Sequence, residues 1–243
     1  MAKQRLDVLL VDRGMAESRE KAQALVMAGQ VRIGDRRAVK PGVLVSDSVE
    51  IGVVRGQRFV GRGGEKLAGA LDRFGTKVQG AIALDIGAST GGFTDCLLQS
   101  GAERVYAVDV GHNQIDYRLR TDPRVVVMEG VNARQALDLP EEVAVVTIDV
   151  SFISLRLVLP TAISALKAGG EIIALLKPQF EAAKGEVPRG GVITDAQLHS
   201  VVIGRFATWC VSEGVRILDM VASPILGAEG NREFLFRLKA AVP

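Results

Sequence analysis

Lys66, Asp149, Lys177 and Glu233 are residues whose types and setting suit proton removal from a weakly acidic hydroxyl. Asp149 follows the apolar run Val143-Ala144-Val145-Val146-Thr147-Ile148, and Lys177 follows Ile172-Ile173-Ala174-Leu175-Leu176. Both therefore stand at the exits of strand-like segments, where ligands lie in an open α/β sheet. Glu233 opens a later strand-like run at the same edge, and Lys66 sits early in a helical pattern. A lysine works as a base when partial burial or a neighbouring cation draws its pKa toward neutrality. Lys177, with Lys66 as the nearby cation, is the candidate base. Asp149 would orient its nitrogen, and Lys66 and Glu233 would fix the substrate hydroxyl and the net charge. The plainer alternative is two surface ion pairs, each worth little.

A second group lies around Ala83-Leu84-Asp85-Ile86-Gly87-Ala88-Ser89-Thr90-Gly91-Gly92-Phe93, a short strand, an acid and a glycine-rich turn into a helix. Gly87, Gly91 and Gly92 permit a sharp turn and a close ligand approach. The order G-x-x-x-G-G has neither the middle glycine of a dinucleotide fingerprint nor the lysine of a phosphate loop. Asp85 and Asp109, the latter closing Arg104-Val105-Tyr106-Ala107-Val108-Asp109, instead predict a cationic nucleoside cofactor. Asp85 suits the amino group of S-adenosylmethionine, and Asp109 its ribose hydroxyls. Ser89 belongs to the same loop, and Asp149 would then lie beside the transferring methyl. An ordinary helix cap by Asp85 is the competing explanation.

Stepping from residues to elements, strand-like runs fall at 82–85, 104–109, 125–128, 143–149, 171–176, 215–221 and 233–238, most of them separated by helical segments. This alternation predicts an α/β fold, a Rossmann-like, mostly parallel seven-stranded sheet covered on both faces. The last two runs, joined only by the loop 222–232, predict an antiparallel hairpin. Ahead of them, residues 1–60 read as a small α+β module. It has a helix over 5–13, a second helix starting at the N-cap Ser18 and ending at Gly29, a strand at 31–33 and a turn at Gly34-Asp35. The domains are therefore 1–60 and 61–243, with a charged, glycine-bearing linker over 54–62.

Net charge is only +2, yet residues 1–60 hold 11 Lys/Arg against 7 Asp/Glu, making the front module the basic one. Arg19, Lys21, Arg32, Arg36, Arg37 and Lys40 cluster on its second helix and hairpin, where they suit a phosphate backbone. A merely solvated face is the alternative. A hydrophobic content of 48% with no membrane-length apolar run, and no signal-peptide core at the front, predicts a soluble cytoplasmic protein without a membrane partner. Cys96 and Cys210 lie in separate helical patterns and read as buried free thiols, while His112 and His199 are too few for a metal site.

Two resemblances sharpen these readings. Arg5-Leu6-Asp7-Val8-Leu9-Leu10, Ser18-Arg19-Glu20-Lys21-Ala22 and Ala28-Gly29-Gln30-Val31-Arg32-Ile33-Gly34-Asp35 resemble the RNA-binding domain named after ribosomal protein S-four. That likeness adds Arg5 and Ser18 to the RNA-facing candidates. Lys66, Asp149, Lys177 and Glu233 follow the order of the K-D-K-E tetrad of FtsJ-like ribose 2′-O-methyltransferases. Their contexts, Arg62-Gly63-Gly64-Glu65-Lys66-Leu67, Asp149-Val150-Ser151-Phe152-Ile153-Ser154-Leu155, Lys177-Pro178-Gln179-Phe180-Glu181 and Gly230-Asn231-Arg232-Glu233-Phe234, are similar to the bacterial TlyA family. The resemblance implies S-adenosylmethionine-dependent methylation of a cytidine 2′-hydroxyl in ribosomal RNA, within ribosomal subunits and without a metal. It also implies that Asn132 lies beside the cofactor's adenine, that Phe152 stacks on the target base or plugs the site, and that 181–194, with Lys184 and Arg189, is a mobile substrate loop. A chain ending soon after Lys239 is similar to the shorter members, which act on the large subunit alone.

Other chemistries fit less well. A base-carbon methyltransferase needs a nucleophilic cysteine at a strand end, and an exocyclic-amine enzyme an Asn/Asp-Pro-Pro-aromatic run where this chain has Asp149-Val150-Ser151-Phe152. Members of the family have been called haemolysins, but the sequence shows no spanning segment or series of amphipathic hairpins. A ribosome-binding assembly factor with an inactive methyltransferase fold is the remaining alternative.

Overall fold

A computed structural model describes residues 3–53 and 58–240, which form two compact units dividing between Arg58 and Phe59. Of the expected linker, 54–57 lie outside the described residues, as do 241–243 at the end of the chain. Within the rest of that stretch, Phe59 and Val60 are built into the second unit while Arg58 and Arg62 are exposed. Phe59 is buried against the second unit's aliphatic core, and the Val60 amide donates to Asp95 Oδ2 at 2.8 Å. Gly64 makes room for the ring, since a Cβ there would lie 2.2 Å from it.

The first unit runs β1 (Lys3–Arg5), α1 (Leu6–Asp12), α2 (Arg19–Met27), β2 (Val31–Ile33), β3 (Arg36–Arg37), β4 (Leu44–Ser46) and β5 (Ile51–Val53). Ser18 caps α2 by accepting from the Lys21 amide at 3.2 Å, and Gly29 takes a φ of 69° just beyond the helix. Strands β3, β2 and β5 form one antiparallel sheet, and β1 pairs with β4. Leu6, Leu10, Ala22, Val26 and Val31 fill the core between them.

The second unit begins with α3 (Gly63–Phe74), then β6 (Ile82–Ile86), α4 (Gly92–Gln99), β7 (Arg104–Asp109), the single-turn α5 (Tyr117–Arg120) and β8 (Val125–Glu129). It continues through β9 (Val143–Ile148), α6 (Leu159–Ser164), β10 (Leu166–Leu176), α7 (Pro178–Glu181), α8 (Ala196–Ser212), β11 (Val215–Ala222) and β12 (Phe234–Ala240). Sheet order is β11-β12-β10-β9-β6-β7-β8, parallel from β10 to β8, with β12 antiparallel to both neighbours. One core, with Leu67, Leu71, Phe93 and Leu97, packs one face; another, with Leu155, Leu159, Val202 and Phe206, packs the other. Strand β10 starts five residues earlier than expected. It takes in Lys167-Ala168-Gly169-Gly170, which form an irregularity between the Leu166↔Val143 and Glu171↔Val145 pairings, with Gly169 at φ 77°. From β6 the chain winds outward to β8, then returns through β9 to the other side. The carboxyl ends of β6 and β9 are thus the topological switch point, the place where such sheets bind ligands.

Candidate active site

Beyond β6 the chain turns through Gly87 (φ 83°), Ser89 (φ 49°) and Gly91 (φ 95°) into α4. Packing dictates more of this turn than ligand approach does. A Cβ on Gly87 would lie 2.5 Å from the Asp149 carbonyl oxygen, so glycine lets the ends of β6 and β9 close on each other. Gly91 faces Leu119 Cδ1, which a Cβ would approach to 2.2 Å, and it lines neither cavity described below. Gly92 packs against the Gly64 amide where α3 and α4 begin.

Asp85 differs from its expected role as a direct ligand. Its carboxylate is fully buried, takes hydrogen bonds from Thr94 Oγ1 at 2.7 Å and Thr147 Oγ1 at 2.9 Å, and lines neither cavity. Burial is the main cause that pushes it up to about 7, against the two threonine hydroxyls, and nearby Asp149 adds to the rise. Asp85 therefore holds the turn from beneath. Thr147 was legible only indirectly, since a lone hydroxyl in an aliphatic central strand needs a polar partner, and Thr94 lies on α4.

Asp109 lies at the cavity wall. One carboxylate oxygen accepts from the Ser89 amide at 2.8 Å and the other from the Gly111 amide at 2.7 Å. A carboxylate has about four lone-pair sites, so acceptor capacity remains for vicinal hydroxyls. The adjoining cavity, about 340 Å³, has apolar walls at Ile86, Val108, Val110 and Val131 and polar groups at Ser89, Asp109, Gln114 and Asn132. Asn132 Oδ1 accepts from the Arg134 amide at 3.1 Å, which shapes the turn after β8. Gln114 and Arg134 line this space without having stood out in the sequence. A second cavity of about 190 Å³ is lined by Gly63, Ala88, Thr90, Gly92, Phe93 and Lys177, among others. Gly87, Ser89, Asp149 and Ser151 border both. An apolar slot with a free carboxylate edge, joined to a small polar chamber, fits a nucleoside carrying a charged amino-acid tail.

The four proton-transfer candidates form two ion pairs. Lys177 Nζ lies 2.7 Å from Asp149 Oδ1 and donates to Ser151 Oγ at 2.8 Å. The approach to Asp149 is an ion contact without hydrogen-bond alignment, which leaves Oδ1 with no hydrogen bond. Lys66 Nζ pairs with Glu233 Oε2 at 2.5 Å, both nearly excluded from solvent. Lys66 is thus turned to a carboxylate, and the groups at the Lys177 nitrogen are Asp149 and Ser151 instead of a second cation. Lys66 and Glu233 line neither cavity. Gly63, on the first turn of α3, lies close to Asp149: a Cβ there would be 3.6 Å from Asp149 Oδ2. Two buried ion pairs at the end of a sheet are poor stabilisers for their desolvation cost, which points to chemistry. Ser151, hidden in the sequence by its ordinary loop setting, shares with Asp149 the place beside the Lys177 nitrogen where the two cavities meet.

Around this centre, Phe152 is 90% exposed at φ 62° with its ring 5.0 Å from that of Phe180. Glu181 accepts from Ser154 Oγ at 2.7 Å and the Leu155 amide at 2.6 Å, tying α7 to the turn that follows Asp149. Cys96 and Cys210 are buried thiols within α4 and α8, and burial pushes the Cys210 thiol up to about 11. His199 is spent on the Ile193 carbonyl at 3.1 Å.

In the first unit, the basic candidates are exposed but organised. Buried Asp7 accepts from Arg5 and Arg19, each at 3.0 Å, and from Gln23 at 2.8 Å; the Arg5 hydrogen bond is the leading cause that holds its carboxyl well below the usual range. Ser18 is engaged as the helix cap, Lys21 pairs with Glu17, Arg32 reaches the Asp35 carbonyl and Arg37 the Ala28 carbonyl. Arg36 and Lys40 are exposed.

Residues 59–240 match the family described as FtsJ-like methyltransferase, and residues 4–51 match the S4 domain, so the chain is by class a methyltransferase with an RNA-binding module in front. More narrowly, it belongs to the TlyA family. It is 44% identical to the 16S/23S rRNA (cytidine-2'-O)-methyltransferase TlyA of Mycobacterium tuberculosis, over 97% of this chain and 89% of that protein. It is also 42% identical to Hemolysin A of Brachyspira hyodysenteriae, over 95% and 98% of the two chains. A solved Streptococcus thermophilus chain named as a hemolysin aligns with a TM-score of 0.75 at 42% identity, covering 99% of this chain and 90% of that one. No helix among the described residues is long and apolar enough to cross a membrane.

Proposed function

We propose that the protein transfers a methyl group from S-adenosylmethionine to the 2′-hydroxyl of a cytidine in 23S ribosomal RNA, with 16S ribosomal RNA as a further substrate to be tested. The observation that carries this reading is the position of Lys177, whose nitrogen reaches Asp149 and Ser151 where the two cavities meet. The cofactor supplies an electrophilic methyl group when bound. Asp109 would hold its ribose hydroxyls, Asn132 would lie by its adenine, and the turn from Gly87 to Gly92 would border its amino-acid end.

Lys177 takes the proton of the 2′-hydroxyl as the oxygen attacks. Asp149 keeps the lysine nitrogen at the junction, and Lys66 and Glu233 neutralise each other as a pair. Phe152 would stack on the target base, a role supported by its exposure and by a backbone region that costs energy for a bulky residue. In the first unit, Asp7 presents Arg5 and Arg19 as a preformed basic pair, and Arg36 and Lys40 extend the positive surface toward phosphates.

Labelled S-adenosylmethionine mixed with separated ribosomal subunits tests the assignment. Lys177→Ala should lower transfer by about 100-fold or more while cofactor affinity stays within about threefold. Transfer that survives the substitution would reject Lys177 as the base. Wild type that labels no ribosomal RNA would favour a ribosome-binding assembly factor.

A further inference from the structure

We propose that Ser151 is a positioning residue for the reaction, the group that sets the direction of the Lys177 nitrogen; this deepens, and rests on, the reading of Lys177 as the base. Among the described residues, Asp149 is the ion-pair partner of that nitrogen and Ser151 its hydrogen-bond partner, and they do different things. Asp149 Oδ1 is the nearer at 2.7 Å, yet it has no hydrogen bond, so its contact supplies charge without a fixed direction. Ser151 Oγ, at 2.8 Å, receives the aligned N–H. Hydrogen bonds weaken steeply as they bend, so the aligned bond is the one that fixes rotation about the terminal lysine torsion.

Direction matters because a neutral amine has one lone pair and two N–H bonds in tetrahedral arrangement. With one N–H committed to Ser151, the lone pair and the second N–H share the positions left, beside the chamber that Lys177, Asp149 and Ser151 line together. That is where a hydroxyl must present its proton. Without the Ser151 hydroxyl, the lysine can rotate to align on the unsatisfied Asp149 Oδ1, forming the hydrogen bond now missing. The nitrogen would stay in the site and aim elsewhere. Ser151 itself is exposed, and the loop around it is anchored independently by Glu181 on Ser154 and Leu155, so its hydroxyl is dispensable for folding.

The test uses the full chain, isolated large ribosomal subunits and labelled S-adenosylmethionine under single-turnover conditions, with cofactor affinity measured by calorimetry. Ser151→Ala should lower the transfer rate about 10- to 100-fold, as expected for a misdirected reacting group, with the KM for subunits and the cofactor Kd within about twofold of wild type. Ser151→Thr, which keeps the hydroxyl, should recover to within about threefold. An unchanged rate in Ser151→Ala, a loss carried by KM or Kd, or a threonine variant no better than alanine would each overturn the proposal. Transfer surviving in Lys177→Ala, or absent in wild type, would instead bring down the parent reading, and Ser151 with it, because there would be no base to orient.

Discussion

Asp85 shows how burial changes what a residue does. From the sequence it reads as a carboxylate offered to a cofactor; in the fold it is a sealed acid under the glycine turn, held by Thr94 and Thr147 and raised to about 7. The folded state therefore keeps a proton that the unfolded chain loses near pH 4. Between about pH 4 and pH 7 the folded state binds more protons, so this group's contribution to stability falls as pH rises and levels off above 7. Asp85→Asn should gain stability relative to wild type by up to about 4 kcal/mol across that window. Urea unfolding at pH 5 and pH 8 checks it, and a difference that does not change with pH would refute the assignment. Three members of the tetrad were legible at strand ends, and Asp149 was set against the Lys177 nitrogen from that position. Lys66 was expected as a cation beside that nitrogen, yet from its place on α3 it is turned to Glu233, a direction that helix periodicity alone does not give.

At the scale of elements, the strands were readable because aliphatic runs buried on both faces leave little ambiguity, as in β7, which spans the expected residues. The start of β10 was obscured by glycines that serve an irregularity, and Phe59 was obscured by the charged residues around it although a glycine on α3 admits its ring. The glycine turn was recognised but its cause was mixed: Gly87 and Gly92 border the second cavity, whereas Gly91 is required by Leu119. Gly91→Ala would place a methyl 2.2 Å from Leu119 Cδ1 at a φ of 95°. It should destabilise the cofactor-free protein by about 1–3 kcal/mol, measured by chemical denaturation. Unchanged stability combined with lost cofactor binding would show that Gly91 serves the ligand directly.

For the whole molecule, charge asymmetry and alternating periodicity together marked a basic module ahead of a doubly wound sheet. They did not mark the target. A seven-stranded sheet with its cavity at the switch point accepts a nucleoside cofactor for many acceptors, so the choice of ribose oxygen rests on Lys177 and Asp149 at the junction of two cavities. The most direct measurement is where the methyl group ends up. Ribosomal RNA recovered from subunits treated with the protein and labelled S-adenosylmethionine, digested to nucleosides and resolved by mass spectrometry, should carry the label in 2′-O-methylcytidine. Label on a base carbon or an exocyclic amine, or in no ribosomal RNA, would contradict the account.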